Sequence, residues 1–296
     1  MSPYIVAIMS SRREFLKTIP LAAAGVMIGI PFAPLSPEKK TSSIFEVHID
    51  PTISDDRKKF YKTTVSELEQ TISKFPNDLL KVVESKPAKI VVFNNLSFQQ
   101  QFSPKDSIAR KFFEENPDYP NTGLDDSVWA NENSKRWLAY PKVTQEIYIA
   151  GEVFRVYQAR LRADMNQPGV FEGRFEIPDW LLYGSPLSWG AACFPDGSSA
   201  VDESEAYFNQ TTISPSEIHT PSSLFTLGKG LDDTQAALNG TLYVVEKLIQ
   251  DHGNNDHSLL LKYYQLVGAG VDQEKAFQNL FKISERDFEK ELQKKP

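Results

Sequence analysis

The chain is poor in the side chains that most often announce chemistry. It has one cysteine in 296 residues, Cys193, and four scattered histidines, His48, His219, His252 and His257. A single thiol excludes an intrachain disulfide and any multi-cysteine zinc site. Set between Ala192 and Phe194, it reads as a small core residue rather than a reactive one. His252 and His257 flank a turn, where a histidine near a helix C-terminus stabilises the helix dipole. Blocks of lysine or arginine are also missing. The formal charge is −7, and removing the first 35 residues with Arg12, Arg13, Lys17 and Glu14 leaves 29 basic against 38 acidic side chains, a net of −9. That balance argues against nucleic acid as a partner, because phosphate backbones select basic faces. No internal repeat or low-complexity tract is present. Hydrophobic content of 41% and charged content of 24% describe an ordinary globular chain with an ample core.

The N-terminus carries the sharpest local pattern. "SSRREFLKTIPLAAAGVMIGIPFAP" places Arg12 and Arg13 before Phe15-Leu16-Lys17, then an apolar run from Ile19 to Ala33. This resembles the bacterial twin-arginine export signal, S-R-R-x-F-L-K followed by an apolar segment. The resemblance implies a periplasmic or extracellular protein, with the twin-arginine export machinery as partner. The apolar run is short for a stable span, which takes about 20 residues. There is no clean A-x-A cleavage site, so an uncleaved signal serving as a membrane anchor stays open beside a released protein. Met9, directly before Ser10-Ser11-Arg12-Arg13, looks like a better start than Met1.

Residues 1–35 are therefore expected to be signal or anchor, 36–43 a linker, and 44–296 one domain with parts at 44–165 and 166–296. Ile44–Asp50 alternates and reads as a strand, and Ala88–Asn95 as a second. Ser54 followed by Asp55 and Asp56 caps a helix with apolar period through Phe60, Val65, Leu68 and Ile72. Residues 116–133 read as loop from their Pro, Asn, Asp and Gly content, and Arg136–Pro141 as a third strand. From Val143 the period is helical, with Ile147, Ala150, Phe154, Tyr157 and Leu161 on one face. Ile177–Phe194 reads as a short helix interrupted at Gly184 and Pro186, 195–230 as mostly loop, and the last third as helices. Strands first and helices last give an α+β class, a small mixed N-terminal sheet followed by a mainly helical part.

Within the long helix, "GEVFRVYQ" aligns on H-E-x-x-H, with Glu152 at the general-base position, Gly151 at the first histidine and Arg155 at the second. Downstream, "PDWLLYG" matches P-x-W-L-x-E-G, with Tyr183 where a ligand glutamate would stand. Together with "KIVVFNNLSFQQQF" before the site and "QAALNGTLYVVEKLIQDHG" plus its tail after it, the chain resembles the gluzincin group of zinc peptidases, the peptidase MA-like branch, over about residues 44–294 in element order. No single motif is intact. In that family two histidines four apart and a later glutamate bind zinc, and the glutamate beside the first histidine activates the metal-bound water. Here glycine, arginine and tyrosine replace the three ligands. Glycine offers no donor, arginine no lone pair, and tyrosine ionises only near pH 10.

The resemblance therefore implies no bound zinc and no other cofactor. It points to an exported pseudoenzyme whose cleft takes an extended peptide or glycan-like ligand, with Tyr157, Trp180, Tyr183 and Trp189 as stacking aromatics. Core packing is the other reading of those aromatics. A Glu152–Arg155–Tyr183 cluster is expected where the metal would sit, because a buried carboxylate without a cation is costly and a guanidinium can fork onto it. Two alternatives stand beside this one. The first is a metal-independent hydrolase with Glu152 as general base and Tyr183 or Arg155 as oxyanion stabiliser; the second is an interaction module with no ligand. Taken alone, Glu152 and Arg155 at i, i+3 are an ordinary helical ion pair worth about 0.3 kcal/mol.

Overall fold

In the computed structural model, residues 44–163, 177–212, 236–237 and 239–293 are described; Arg12, Arg13 and His219 lie outside them. The architecture is α+β, and the described residues form a four-stranded mixed sheet and twelve α-helices. Strands β1 (Phe45–Ile49), β2 (Ala88–Phe93) and β4 (Ser127–Asn131) run parallel, and β3 (Asn121–Leu124) lies antiparallel at the border, in the order β1-β2-β4-β3.

The interior strand β2 reads as a continuous apolar run because both of its faces are covered. Ile90 and Val92 join the main core, while Val91 and Phe93 point the other way into a smaller core with Phe112, Phe113 and Trp129. Helix α1 (Asp55–Ile72) starts as the sequence indicates. Ser54 accepts from the Arg57 amide, Asp55 and Asp56 occupy the first turn, and Phe60, Val65, Leu68 and Ile72 are buried. It is followed by α2 (Asn77–Ser85), and β2 by α3 (Leu96–Phe102) and α4 (Ile108–Glu115).

The region 116–133 is not loop; it holds β3 and β4, joined by a two-residue turn. Asp125 and Asp126 both adopt positive φ, 52° and 60°, the backbone that the twist of a tight hairpin demands and that usually selects Asn-Gly. Two carboxylates hold it instead. Asp125 accepts from the Ala109 amide at 2.8 Å in the first turn of α4, and Asp126 is held by Lys86 and Arg160. Residues 136–141 are not a strand either. Ser134 accepts from the Trp137 amide at 3.2 Å and opens the short helix α5 (Lys135–Ala139).

The long helix α6 (Lys142–Ala163) lies against the sheet and against α7 (Asp179–Ala192). Helix α7 is continuous through Gly184 and Pro186. A Cβ at Gly190 would meet the Ile147 carbonyl at 2.5 Å and one at Gly151 the Pro186 carbonyl at 3.1 Å, so the two helices pack antiparallel, four residues against four. After a 3₁₀ turn at Pro195–Gly197, residues read as loop form α8 (Ser198–Gln210). The C-terminal helices are α9 (Thr241–His252), α10 (Ser258–Gly268), α11 (Gln273–Phe281) and α12 (Glu285–Gln293). No helix among the described residues is long and apolar enough to cross a membrane.

Candidate functional site

The register of the β3–β4 hairpin determines what Glu152 does. Leu124 opposes Ser127 and Thr122 opposes Trp129, and the Asn131 amide donates to Pro120 at 2.8 Å. In a two-residue hairpin these alternate pairs carry the ladder bonds, so Gly123 between them turns its N–H outward at the sheet border. Glu152 receives it: the Gly123 amide donates to Oε2 at 2.6 Å. A Cβ at position 123 would lie 3.0 Å from both the Glu152 carbonyl and Oε2, so glycine is what allows α6 to approach β3 this closely. The carboxylate is 8% exposed. Its other oxygen, Oε1, faces the Arg155 Nε at 3.6 Å, a charge contact beyond hydrogen-bonding range.

Of the three positions that the sequence alignment sets against the zinc ligands of the gluzincin pattern, Gly151 faces the Pro186 backbone of α7. Tyr183 is buried, 6% exposed. Counting back from Gly190 through Pro186, it lies on the α7 face that meets α6, level with the turn holding Glu152 and Arg155. The structure thus brings Glu152 and Arg155 together and sets Tyr183 on the facing helix. The three stacking candidates are core residues. Tyr157 and Trp180 are 0% exposed and Trp189 is 1%. Trp180 packs on Phe277 and Phe288 and donates Nε1 to Glu289 at 3.0 Å, and Trp189 packs between Phe75 and Phe154. They line no open surface, which corrects their assignment to ligand stacking.

The described histidines go to separate glutamates: His48 to Glu46 at 2.6 Å, His252 to Glu291 at 3.0 Å and His257 to Glu246 at 2.8 Å. Among the described residues no three His, Cys, Asp or Glu side chains gather as a metal site would require. Cys193 is buried, and burial pushes its thiol far above the usual range, so it offers no nucleophile. No known protein family, curated protein or solved structure matches this chain.

Two further polar clusters had no clear signature in the sequence. Ser188 and His257 both bond Oε1 of the buried Glu246, at 2.7 and 2.8 Å. The carboxylate stands between serine and imidazole, so the histidine cannot take the serine proton, and the cluster ties α7, α9 and the start of α10 together. The second surrounds Glu132, 6% exposed at the end of β4. Arg57 forks onto it through Nε at 2.9 Å and Nη2 at 2.6 Å, Trp137 donates Nε1 at 3.0 Å, and the Tyr61 hydroxyl donates to Oε1. Arg57 also reaches Gln145 Oε1 at 2.6 Å, while Gln145 Nε2 donates to the Trp137 and Tyr140 carbonyls. Burial and the neighbouring carboxylate push the Tyr61 hydroxyl well above its usual range. Arg57 is held protonated because its bonds to Glu132 outweigh the desolvation that opposes the charge. With the carboxylate filled by donors, this clamp joins α1, β4, α5 and α6 and leaves no reacting atom exposed.

Proposed function

We propose that the protein is an exported, non-catalytic relative of the gluzincin zinc peptidases that binds a ligand in the cleft beside β3 and α6 instead of cleaving one. The observation that carries this reading is the commitment of Glu152. The group at the general-base position accepts the outward Gly123 amide at 2.6 Å and faces a permanent cation, so its lone pairs serve the sheet border rather than a water. An antiparallel border strand lies directly against the helix bearing Glu152 and supports such a cleft; the segment "KIVVFNNLSFQQQF", residues 89–102, does not supply that border, because its strand is interior to the sheet and Leu96–Phe102 is a helix. The replaced positions 151, 155 and 183 supply no metal donor at neutral pH. Export rests on the twin-arginine pattern at Arg12 and Arg13.

Elemental analysis of the purified chain, after incubation with zinc and dialysis at neutral pH, tests this reading. The expected result is much less than one zinc per chain. One tightly held zinc would overturn it and move a working metallohydrolase to the front.

A further inference from the structure

Arg155 is the least satisfied charge on the face of α6 that carries Glu152. Its side chain is 18% exposed, and among the described residues its one ion pair is the 3.6 Å approach of Nε to Glu152. Among the described residues its guanidinium donates no hydrogen bond. A guanidinium has several rigidly forked donors, and no Arg155 nitrogen is among the buried atoms left without a partner, so these donors stay accessible to a ligand from solvent. The contrast with the other sequestered arginines is direct. Arg57 forks onto Glu132, and Arg160 is bonded to Asp126 and to the Lys86 and Pro87 carbonyls.

A second unmatched donor stands on the same side of α6. Tyr148, Glu152 and Arg155 follow one another at i, i+4 and i+7 and share one face of the helix. The Tyr148 hydroxyl is buried with no hydrogen-bond partner among the described residues. Burial holds it protonated, and Arg155, Tyr140, Tyr119 and Glu203 all act on it electrostatically. The Tyr148 phenol, held protonated by burial, has a hydrogen to donate, and a guanidinium has donors only, so the two side chains offer N–H and O–H groups to a shared acceptor.

We propose that Arg155 and Tyr148 together bind the carboxylate of a peptide, the guanidinium forking onto it and the phenol donating alongside. Planar oxygen pairs match the guanidinium fork. Phosphate matches it too, but Glu152 and Glu203 near the same donors would repel a dianion more than a single carboxylate. A glycan is the weaker candidate, because Tyr157, Trp180 and Trp189, the platforms on which sugar rings would stack, are sealed in the core. The proposal rests on the cleft-binding reading above and names the ligand for it. Its failure is separable, since zinc uptake tests the one and carboxylate recognition the other.

The test uses the full chain labelled with ¹⁵N-arginine and observed through its Nε–Hε resonances, the Arg155 signal being assigned by its loss in Arg155→Lys. Four probes are titrated at constant ionic strength: acetyl-trialanine as the free acid, the same peptide as its amide, acetyl-Ala-Glu-Ala-amide, and methyl glucuronide. The expected result is a saturable shift of the Arg155 signal by at least one carboxylate peptide, at least about tenfold weaker with the amide. Tyr148→Phe should weaken binding by a further factor of about three to ten while the other arginine signals stay in place. The free acid outperforming the glutamyl peptide identifies a chain terminus; the reverse identifies an acidic side chain. Equal binding of acid and amide, no saturable shift by either carboxylate peptide, or tighter binding of the glucuronide would overturn the proposal. Arg155→Met, with circular dichroism matching wild type, must abolish the preference for acid over amide measured by calorimetry; retention of that preference also refutes it.

Discussion

Replacing Glu152 separates a structural carboxylate from an inherited catalytic one. Glu152→Ala leaves the Gly123 amide without its acceptor at a site 8% exposed, which costs about 1–3 kcal/mol. It also removes the one countercharge that Arg155 has among the described residues, adding up to about 2 kcal/mol, between an exposed and a buried pair, so a loss of about 1–5 kcal/mol is expected. Glu152→Gln keeps an acceptor oxygen for Gly123 and gives up only the charge assistance, about 1 kcal/mol. For a domain of this size each kcal/mol moves Tm by about 2–4 °C. The alanine variant should therefore melt about 2–20 °C lower and the glutamine variant about 2–4 °C lower. Urea unfolding followed by circular dichroism gives the free energies, and hydrogen exchange at Gly123 reports the bond itself, with protection lost in the alanine variant. Catalytic carboxylates often stand at a cost to stability. A Glu152→Gln protein as stable as wild type or more so, with Gly123 still protected in Glu152→Ala, would refute the border-capping role.

The remaining expectations concern the clamp and two acids. Glu132→Leu strands Arg57 in a sequestered site and should cost about 3–5 kcal/mol; Arg57→Met with Glu132→Leu should recover most of it in urea unfolding, and additive losses would contradict the coupling. Glu285 is raised to about 7 by burial and by Glu289 and Glu274, so the folded state binds the extra proton. Its stabilising effect is complete below about pH 4.5 and declines as pH rises towards 7; urea midpoints between pH 5 and 8 should fall with pH, and Glu285→Gln should flatten that trend. Asp126 behaves oppositely. Burial opposes its charge, but hydrogen bonds from Lys86 and Arg160 outweigh it and depress its pKa. Its contribution is present above the ordinary aspartate range and lost as pH falls through the depressed value, and Asp126→Asn should remove that part of the acid sensitivity.

The helices of the chain were legible where local chemistry and burial agree. Ser54, Asp55 and Asp56 start α1, and the apolar period buries the face it indicates. The hairpin was not, because its strands carry polar residues that the sheet buries, with Asn121, Thr122, Ser127 and Asn131 all at 5% exposure or less. Its Asp125–Asp126 turn is held by partners in α4 and α6 that no local window contains. Helix α7 was read as broken because glycine and proline disfavour helices in isolation, whereas here Gly190 admits the α6 backbone and packing keeps the helix whole. At the site, adjacency in sequence was enough to pair Glu152 with Arg155. The stronger partner of Glu152 is an amide 29 residues away, and its signal was a glycine indistinguishable from a loop residue. The burial of Trp180 and Trp189 followed from long-range packing in the same way.

The contact between Gly151 and Pro186 bears on what this protein could become. Even a methyl group at position 151 would sit 3.1 Å from the Pro186 carbonyl oxygen, and an imidazole needs far more room. Placing histidine at 151 and 155 and glutamate at 183 would therefore not build a zinc centre, because the α7 backbone already fills the space beside position 151. The spacing of two helices would have to change before any of those substitutions could be useful. Point mutation alone meets a packing barrier, so metal chemistry could enter this site only together with a change in how α6 and α7 pack.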